Sequence, residues 1–306
     1  MTSTEIAVSH PGVAARVALT MVRREEVQLR NEKKSSELPA VYLPDATAAQ
    51  CIAPSALLWC ALFGALKRSE HEWVKDRSLA AQGGLEVKFT GALLDQNDLT
   101  LWLALLRIVQ RNPLGEKVHL RGSELLAILD LSDCGSARRR AADPQRQRAG
   151  GDGARDRIEA ALRRLVEGTV KIRFTDDSVF IGHLVDAAFR GRGGEDWSVT
   201  LGRDLTLLFA AGAVRLSTSM RVKLRGKPLA LWLQAYLESH GGRPYDARLQ
   251  TLWDLSGSTS ALKEFRRLLR RALGYLTAAY KVEGATLDWG MKDGLVRLAV
   301  TWSVSG

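Results

Sequence analysis

The stretch STSALKEFRRLLRRALGYLTAAY, from Ser258 to Tyr280, decides how the chain is read, because it sets a clean apolar stripe against a clean cationic one. At about 100° per residue, Leu262, Phe265, Leu268, Leu269, Ala272, Leu273 and Leu276 share one side of a helix, while Lys263, Arg266, Arg267, Arg270 and Arg271 share nearly the opposite side. One side requires a core and the other requires anions. Ser258, Thr259 and Ser260 precede the helix and offer hydroxyls for its N-cap.

Upstream, Ala247 to Leu255 carries a short helical pattern closed by Ser256 and Gly257, so the order is helix, glycine-containing turn, basic helix. Downstream, Gly284 to Gly290 and Leu295 to Trp302 are rich in Val, Leu, Thr and Trp, and the Met-Lys-Asp-Gly between them predicts a hairpin. A helix-turn-helix followed by a hairpin is a winged helix, whose second helix reads the DNA major groove. The alternative is that Lys263 to Arg271 is only the solvated face of a core helix. Five cations against the single Glu264, with the turn and the hairpin beside them, favour DNA.

The rest of the composition is compatible with that reading. A length of 306 residues and an apolar fraction of 46% suit about two domains with real cores. Lys and Arg number 44 against 34 Asp and Glu, a net charge of +10 that favours a polyanionic partner. Charge alone does not separate nucleic acid from an anionic membrane. The longest uncharged run, Pro54 to Leu66, is too short to span a bilayer, and no charged-then-apolar leader opens the chain, so a cytoplasmic protein is expected. Cys51, Cys60 and Cys134 lack C-x-x-C spacing, which supports neither a disulfide framework nor a zinc site; buried free thiols are expected.

Taken in order, Met1 to Ser36 reads as a mobile or partly helical arm. Glu37 to Leu43 is a short extended apolar peptide between Pro39 and Pro44 that docks elsewhere or packs on its own domain. Ser55 to Leu66 has the spacing of a helix that is buried in the core or, as the alternative, faces a partner. A strand is expected at Leu85 to Thr90, a helix over Asp95 to Gln110 stopped by Asn112-Pro113, and a strand at Lys117 to Leu120. Gly122 to Leu131 repeats the character of Ala247 to Leu255, and Asp156 to Glu167 supplies another helix. Strands follow at Val170 to Phe174, Val179 to Val185, Ala187 to Arg190 and Trp197 to Leu201. Helix, short helix, second helix and hairpins therefore occur twice, with a boundary near Ala211 to Ser219. Between the first pair, Ser136 to Arg155 holds six arginines among Ala, Gln, Pro and Gly and reads as an extended loop, suited to phosphate contacts or simply solvated. The expected architecture is α+β: an arm over residues 1–50, a winged-helix domain over 51–215, and a second over 216–306.

An ordered set of motifs resembles a known family. Glu86 to Gly91 (EVKFTG), Arg111 to Glu116 (RNPLGE), Leu207 to Gly212 (LLFAAG), Pro228 to Leu233 (PLALWL), Ser239-His240, Arg243 to Tyr245 and Leu255 to Ser258 follow the order and spacing of the TrfA family of plasmid replication initiators, over roughly Pro54 to Tyr280. The resemblance implies two winged-helix domains of the iteron-binding Rep class. It also implies binding to direct repeats in double-stranded origin DNA, opening of adjacent A·T-rich DNA, and recruitment of the host initiator, replicative helicase and sliding clamp. In that class the C-terminal domain reads bases, the N-terminal domain grips backbone and dimerises, and the monomer of a monomer–dimer equilibrium binds. The chain departs from the pattern twice. The loop Ser136 to Arg155 is longer than the usual turn, and Glu37 to Val41 stands where some members carry a glutamine-leucine clamp-binding peptide.

Signs of catalysis are scarce. No G-x-x-x-x-G-K-[ST] loop is present, and His10, His71, His119, His183 and His240 form no His-x-His pair, so no enzyme activity, cofactor or metal is expected. Opening DNA would then draw on binding and bending, at a cost of about 1 to 6 kcal/mol per bent site. Lys263, Arg266, Arg267 and Arg270, with Arg271 beside them, are expected in the major groove. Ser258, Thr259 and Ser260 are expected to hold phosphate at the helix N-terminus. Lys223, Arg225 and Lys227 are expected to touch backbone, as are Arg157, Arg163 and Arg164 in the first domain. A winged-helix transcriptional repressor or partition regulator is the rival reading.

Overall fold

The computed structural model describes residues 39–47, 49–67, 70–121, 125, 144–191, 196–241 and 245–302. Two units are separable by their internal contacts, Met1–Val41 and Tyr42–Gly306; the expected arm, Met1 to Ser36, lies outside the described residues. The first half of the larger unit runs β1 (Gln50–Pro54), α1 (Ser55–Leu58), β2 (Phe63–Gly64), β3 (Trp73–Leu79), β4 (Glu86–Ala92), β5 (Leu94–Asp95), α2 (Gln96–Val109), β6 (Lys117–Arg121), α3 (Pro144–Glu167), β7 (Thr169–Arg173), β8 (Val179–His183), β9 (Ala187–Arg190) and β10 (Asp196–Thr200). After α4 (Leu205–Leu208) and β11 (Ala213–Ser217) come α5 (Thr218–Lys223), α6 (Pro228–Ser239), β12 (Tyr245–Arg248), α7 (Leu249–Leu255), α8 (Leu262–Val282), β13 (Ala285–Lys292) and β14 (Leu295–Trp302). Helices and mainly antiparallel strands together make an α+β fold.

Helix α2 organises the first half. The Asp95 carboxylate accepts from the N–H groups of Asn97 (2.7 Å) and Asp98 (2.9 Å), and Asp98 accepts in return from the Asp95 N–H (3.0 Å), so a reciprocal capping box fixes where the helix begins. Its apolar residues, Leu99, Trp102, Leu103 and Leu106 among them, are buried in a cluster that runs from Leu43 to Leu216 and includes Ala235 of α6. Trp102 keeps its indole N–H satisfied by donating to the Leu184 carbonyl (2.9 Å). A second cluster, Met220 to Leu298, is built from α6, α7, one face of α8 and the inner residues of β13 and β14.

Strand pairing repeats between the halves. β12 leads into α7 and pairs antiparallel with β14, which pairs with β13, giving the order β12-β14-β13. β6 follows α2 and pairs antiparallel with β10, which pairs with β9, giving the order β6-β10-β9. The first half differs by an added hairpin, β7–β8, which joins β4 and β3 in a four-stranded sheet. The β13–β14 hairpin closes on Asp293 (φ 50) and Gly294 (φ 77), two adjacent left-handed residues that match the twist of the strands they join.

Several expectations need correction. Ser55 to Leu66 is almost wholly buried, yet only Ser55–Leu58 is helical. Beyond it the backbone is claimed from elsewhere: the Ala61 N–H donates to Ala80 (2.8 Å), the Ala65 N–H to Ser256 (2.7 Å), and β2 pairs with β5. β3 was not expected, and Ala247–Arg248 belongs to a strand rather than to the helix that follows. The expected loop Ser136 to Arg155 is helical from Pro144, whose fixed φ suits a first helical turn; residues 136–143 lie outside the described residues. So does the expected short helix Gly122 to Leu131, except that Leu125 is helical and buried. At the expected boundary, Ala211 to Ser219, β11 pairs with β1.

Candidate nucleic-acid interface

Helix α8 lies across the second cluster with Phe265, Leu269, Ala272, Leu273, Leu276, Ala279 and Tyr280 buried. Leu262 is 38% exposed and Leu268 only half-buried, so the stripe expected from Leu262 onward engages the core one turn later. The turn before α8 is held tightly. Gly257 adopts φ +61, which a side chain disfavours, and a Cβ there would stand 3.4 Å from the Gly64 Cα. The Trp253 indole donates to the Ser260 carbonyl (2.7 Å), and Thr259 Oγ1 donates to Glu70 (3.0 Å). At the other end Trp289 of β13 donates to Thr277 Oγ1 (3.2 Å). The serines do not cap the helix as expected. Ala261 is the N-cap without a side-chain bond, and the hydroxyls of Ser258 and Ser260 satisfy each other (2.9 Å).

Opposite the buried face, Lys263, Arg266, Arg267, Arg270 and Arg271 are all exposed. At 1.5 Å rise per residue, Lys263 to Arg271 extends for about 12 Å, comparable to the width of the B-DNA major groove. The five are not equivalent. Arg267 forms a bidentate ion pair with Glu264, which holds the Glu264 carboxyl below its ordinary range and the guanidinium above its own. Arg271 donates to the Tyr275 hydroxyl (2.9 Å) and lies over that ring. Lys263, Arg266 and Arg270 have no ion-pair or hydrogen-bond partner among the described residues.

The remaining expected contacts divide further. Lys223 is paired with Glu283, which also accepts from Ser219. Lys227 places its ammonium 4.2 Å from the Tyr275 ring centre, and Arg225 is half-buried. In the first half, Arg157 is half-buried and Arg163 faces Glu159 across 3.6 Å. Arg164 requires a clear correction. It donates through Nη2 (2.7 Å) and Nε (3.0 Å) to Asp98, whose side chain is fully buried, so its charge is spent inside the protein. Periodicity placed Arg164 outward; its partner lies 66 residues away in sequence and could not be seen from spacing.

Asp98 belongs to a cluster with His71 and Asp95 whose ligand atoms lie within 4.8 Å of one another. Each is already satisfied by protein. His71 bonds to the Leu93 carbonyl through Nδ1 (2.6 Å) and faces Asp95 through Nε2 (3.5 Å), Asp95 caps α2, and Asp98 takes Arg164. Hydrogen bonding to Asp95 pushes the His71 pKa up, while burial pushes that of Asp98 up against the pull of Arg164. An arginine inside the cluster makes it an ion-pair network rather than a cation site. Residues missed by the sequence reading include exposed Lys292 at the hairpin tip and buried Arg221 on α5. Hairpin position was the available signal for Lys292, and none marked Arg221. Among the described residues no helix is long and apolar enough to cross a membrane.

No protein-family model matches the sequence, and no curated protein matches it. Among solved structures, the chain resembles the crystal structure of selenomethionine derivatives of domains 2 and 3 of RctB, with a TM-score of 0.52 and 13% identity. The match covers 83% of this chain and 99% of that one. At this identity the likeness is one of fold.

Proposed function

We propose that this chain is a plasmid replication initiator of two winged-helix modules, acting through DNA binding rather than bond chemistry. The observation that carries the reading is the exposed face of α8, where Lys263, Arg266 and Arg270 stand without carboxylate partners among the described residues, between a braced turn and the β13–β14 hairpin. In this reading α7 and α8 are the helix-turn-helix, β13–β14 is the wing, and β12 is the strand that completes its sheet. The repeated strand order and the fold shared with domains 2 and 3 of RctB support a tandem arrangement. The motif resemblance to the TrfA family supports direct repeats at an origin as the target, with host initiator, helicase and clamp as partners in the cytoplasm.

Arg266 and Arg270 are the candidates for bidentate guanine contacts, each worth about 1 to 3 kcal/mol of discrimination. Lys263, Lys227 and Lys292 are the phosphate contacts. Arg267 joins them only when it exchanges Glu264 for DNA, and Arg164 and Lys223 are left out because each is committed to a carboxylate. A plasmid carrying the gene with its flanking direct repeats tests the reading. Autonomous replication that is lost in Arg266→Ala supports an initiator; promoter silencing without replication favours the repressor.

A further inference from the structure

A cleft of about 870 Å³ opens between α2 on one side and α5, the following turn and α6 on the other. That size suits a small organic molecule, at roughly 300 to 1,000 Å³ for such sites, and is too small for a duplex. Leu103, Ala104, Ile108 and Leu231 supply apolar wall. Among the described residues, Arg107, Arg111, Arg221 and Arg225 also line it, against the carboxylate of Asp45.

Arg221 is the unusual member. It is 5% exposed. Nη2 donates to Thr100 Oγ1 (2.9 Å) and makes long contacts with Gln96 (3.4 Å), while Nε and Nη1 are buried without a hydrogen-bond partner. A guanidinium carries five donors in a fixed fork, and Nε with one terminal nitrogen is the edge that takes an oxyanion through two parallel bonds. A buried cation left partly unsatisfied is costly, and an anion held in the adjoining cleft would offset part of that cost through its charge. Glu238, the acid on α6, accepts from the Ser217 N–H (3.0 Å) and from Gln234 (3.0 Å) and acts on Arg221 through charge alone, with no hydrogen bond between them.

We propose that this cleft binds a small organic phosphate, its apolar body against α2 and α6 and its phosphate drawn to Arg221 beneath a rim that includes Arg107 and Arg111. Among the described lining residues, Arg107, Arg111 and Arg221 outnumber the Asp45 carboxylate, which favours a dianionic phosphate over a carboxylate. The site is separate from the α8 face and does not rest on the DNA-binding reading.

The test is thermal unfolding and calorimetric titration of the full chain with hexyl phosphate, adenosine monophosphate, octanoate and inorganic phosphate. Expected is saturable binding of at least one organic phosphate, with a midpoint rise on the order of 5 °C at a hundredfold excess over its Kd. Octanoate and inorganic phosphate should bind at least tenfold more weakly. Arg107→Glu, at an exposed rim position, and Arg221→Met should each weaken the organic phosphate at least tenfold, whereas Arg266→Ala should leave it unchanged. The rim variant keeps the test valid should Arg221→Met fail to fold. No binding of either organic phosphate, equal binding of octanoate, or unchanged affinity in Arg107→Glu would each overturn the site.

Discussion

Replacing Arg164 by methionine keeps most of the side-chain volume and removes the charge that Asp98 faces. In the native chain the Asp98 carboxylate takes two bonds from Arg164, at 2.7 and 3.0 Å, and one from the Asp95 N–H at 3.0 Å, with no exposure to water. The variant leaves a wholly buried carboxylate with a single donor, a loss of about 3 to 5 kcal/mol. For a unit of this size the melting midpoint should fall by roughly 10 °C. Adding Asp98→Asn should recover much of the loss, because the charge that lacked a partner is gone; the coupling in the double-mutant cycle should reach about 2 kcal/mol. The assay is thermal unfolding by circular dichroism, paired with DNA binding well below the lowest midpoint, where the Arg164→Met protein should bind within about twofold of the native affinity. Unchanged melting together with a tenfold loss of DNA affinity would refute the reasoning and return Arg164 to the DNA surface.

Two further outcomes follow from the charged groups. Glu264→Gln releases Arg267, so affinity for random duplex should rise and the salt dependence should steepen by about 0.9 in log–log slope as one more phosphate is engaged; an unchanged slope means that Arg267 never reaches phosphate. Glu238 lies against Ser217, Gln234 and Arg221, with Glu283 and Tyr280 nearby, and burial pushes its carboxyl up to about 7 from an ordinary 4.5. A folded value above the unfolded one gives stability that is complete below about pH 4.5 and is lost as the pH rises through 7. Glu238→Gln should therefore match the native protein near pH 4 and exceed it at pH 8 by up to about 3 kcal/mol in urea unfolding, and an identical pH slope in both proteins contradicts this.

What could be read from sequence depended on whether a local period carried the information. The α8 faces followed from 3.6-residue spacing, and the Met291 to Gly294 turn followed from an Asp-Gly pair whose left-handed residues a hairpin needs. Glu264 and Arg267 have i, i+3 spacing, but the sequence reading set Glu264 only against the cations as a group and placed Arg267 in the groove; their bonding changes which cation is available. Ser55 to Leu66 misled because an apolar run buried on every side has no polar face to separate helix from strand; its hydrogen bonds were decided by Ala80 and Ser256, far along the chain. Arg164 and Arg221 share that failing. An arginine reads as surface by default, and only the tertiary fold shows that Arg221 is buried and that Arg164 turns inward to Asp98.

Whether α8 reads bases is decided most directly by comparing Arg266→Ala and Arg270→Ala with the native protein on two duplexes at one salt concentration. One duplex carries the direct repeats proposed as the target and the other a random sequence. Base reading predicts at least a tenfold loss on the repeats for one or both variants, with no more than about threefold on random DNA. Equal losses on both duplexes, or none on either, would contradict a helix lying in the major groove.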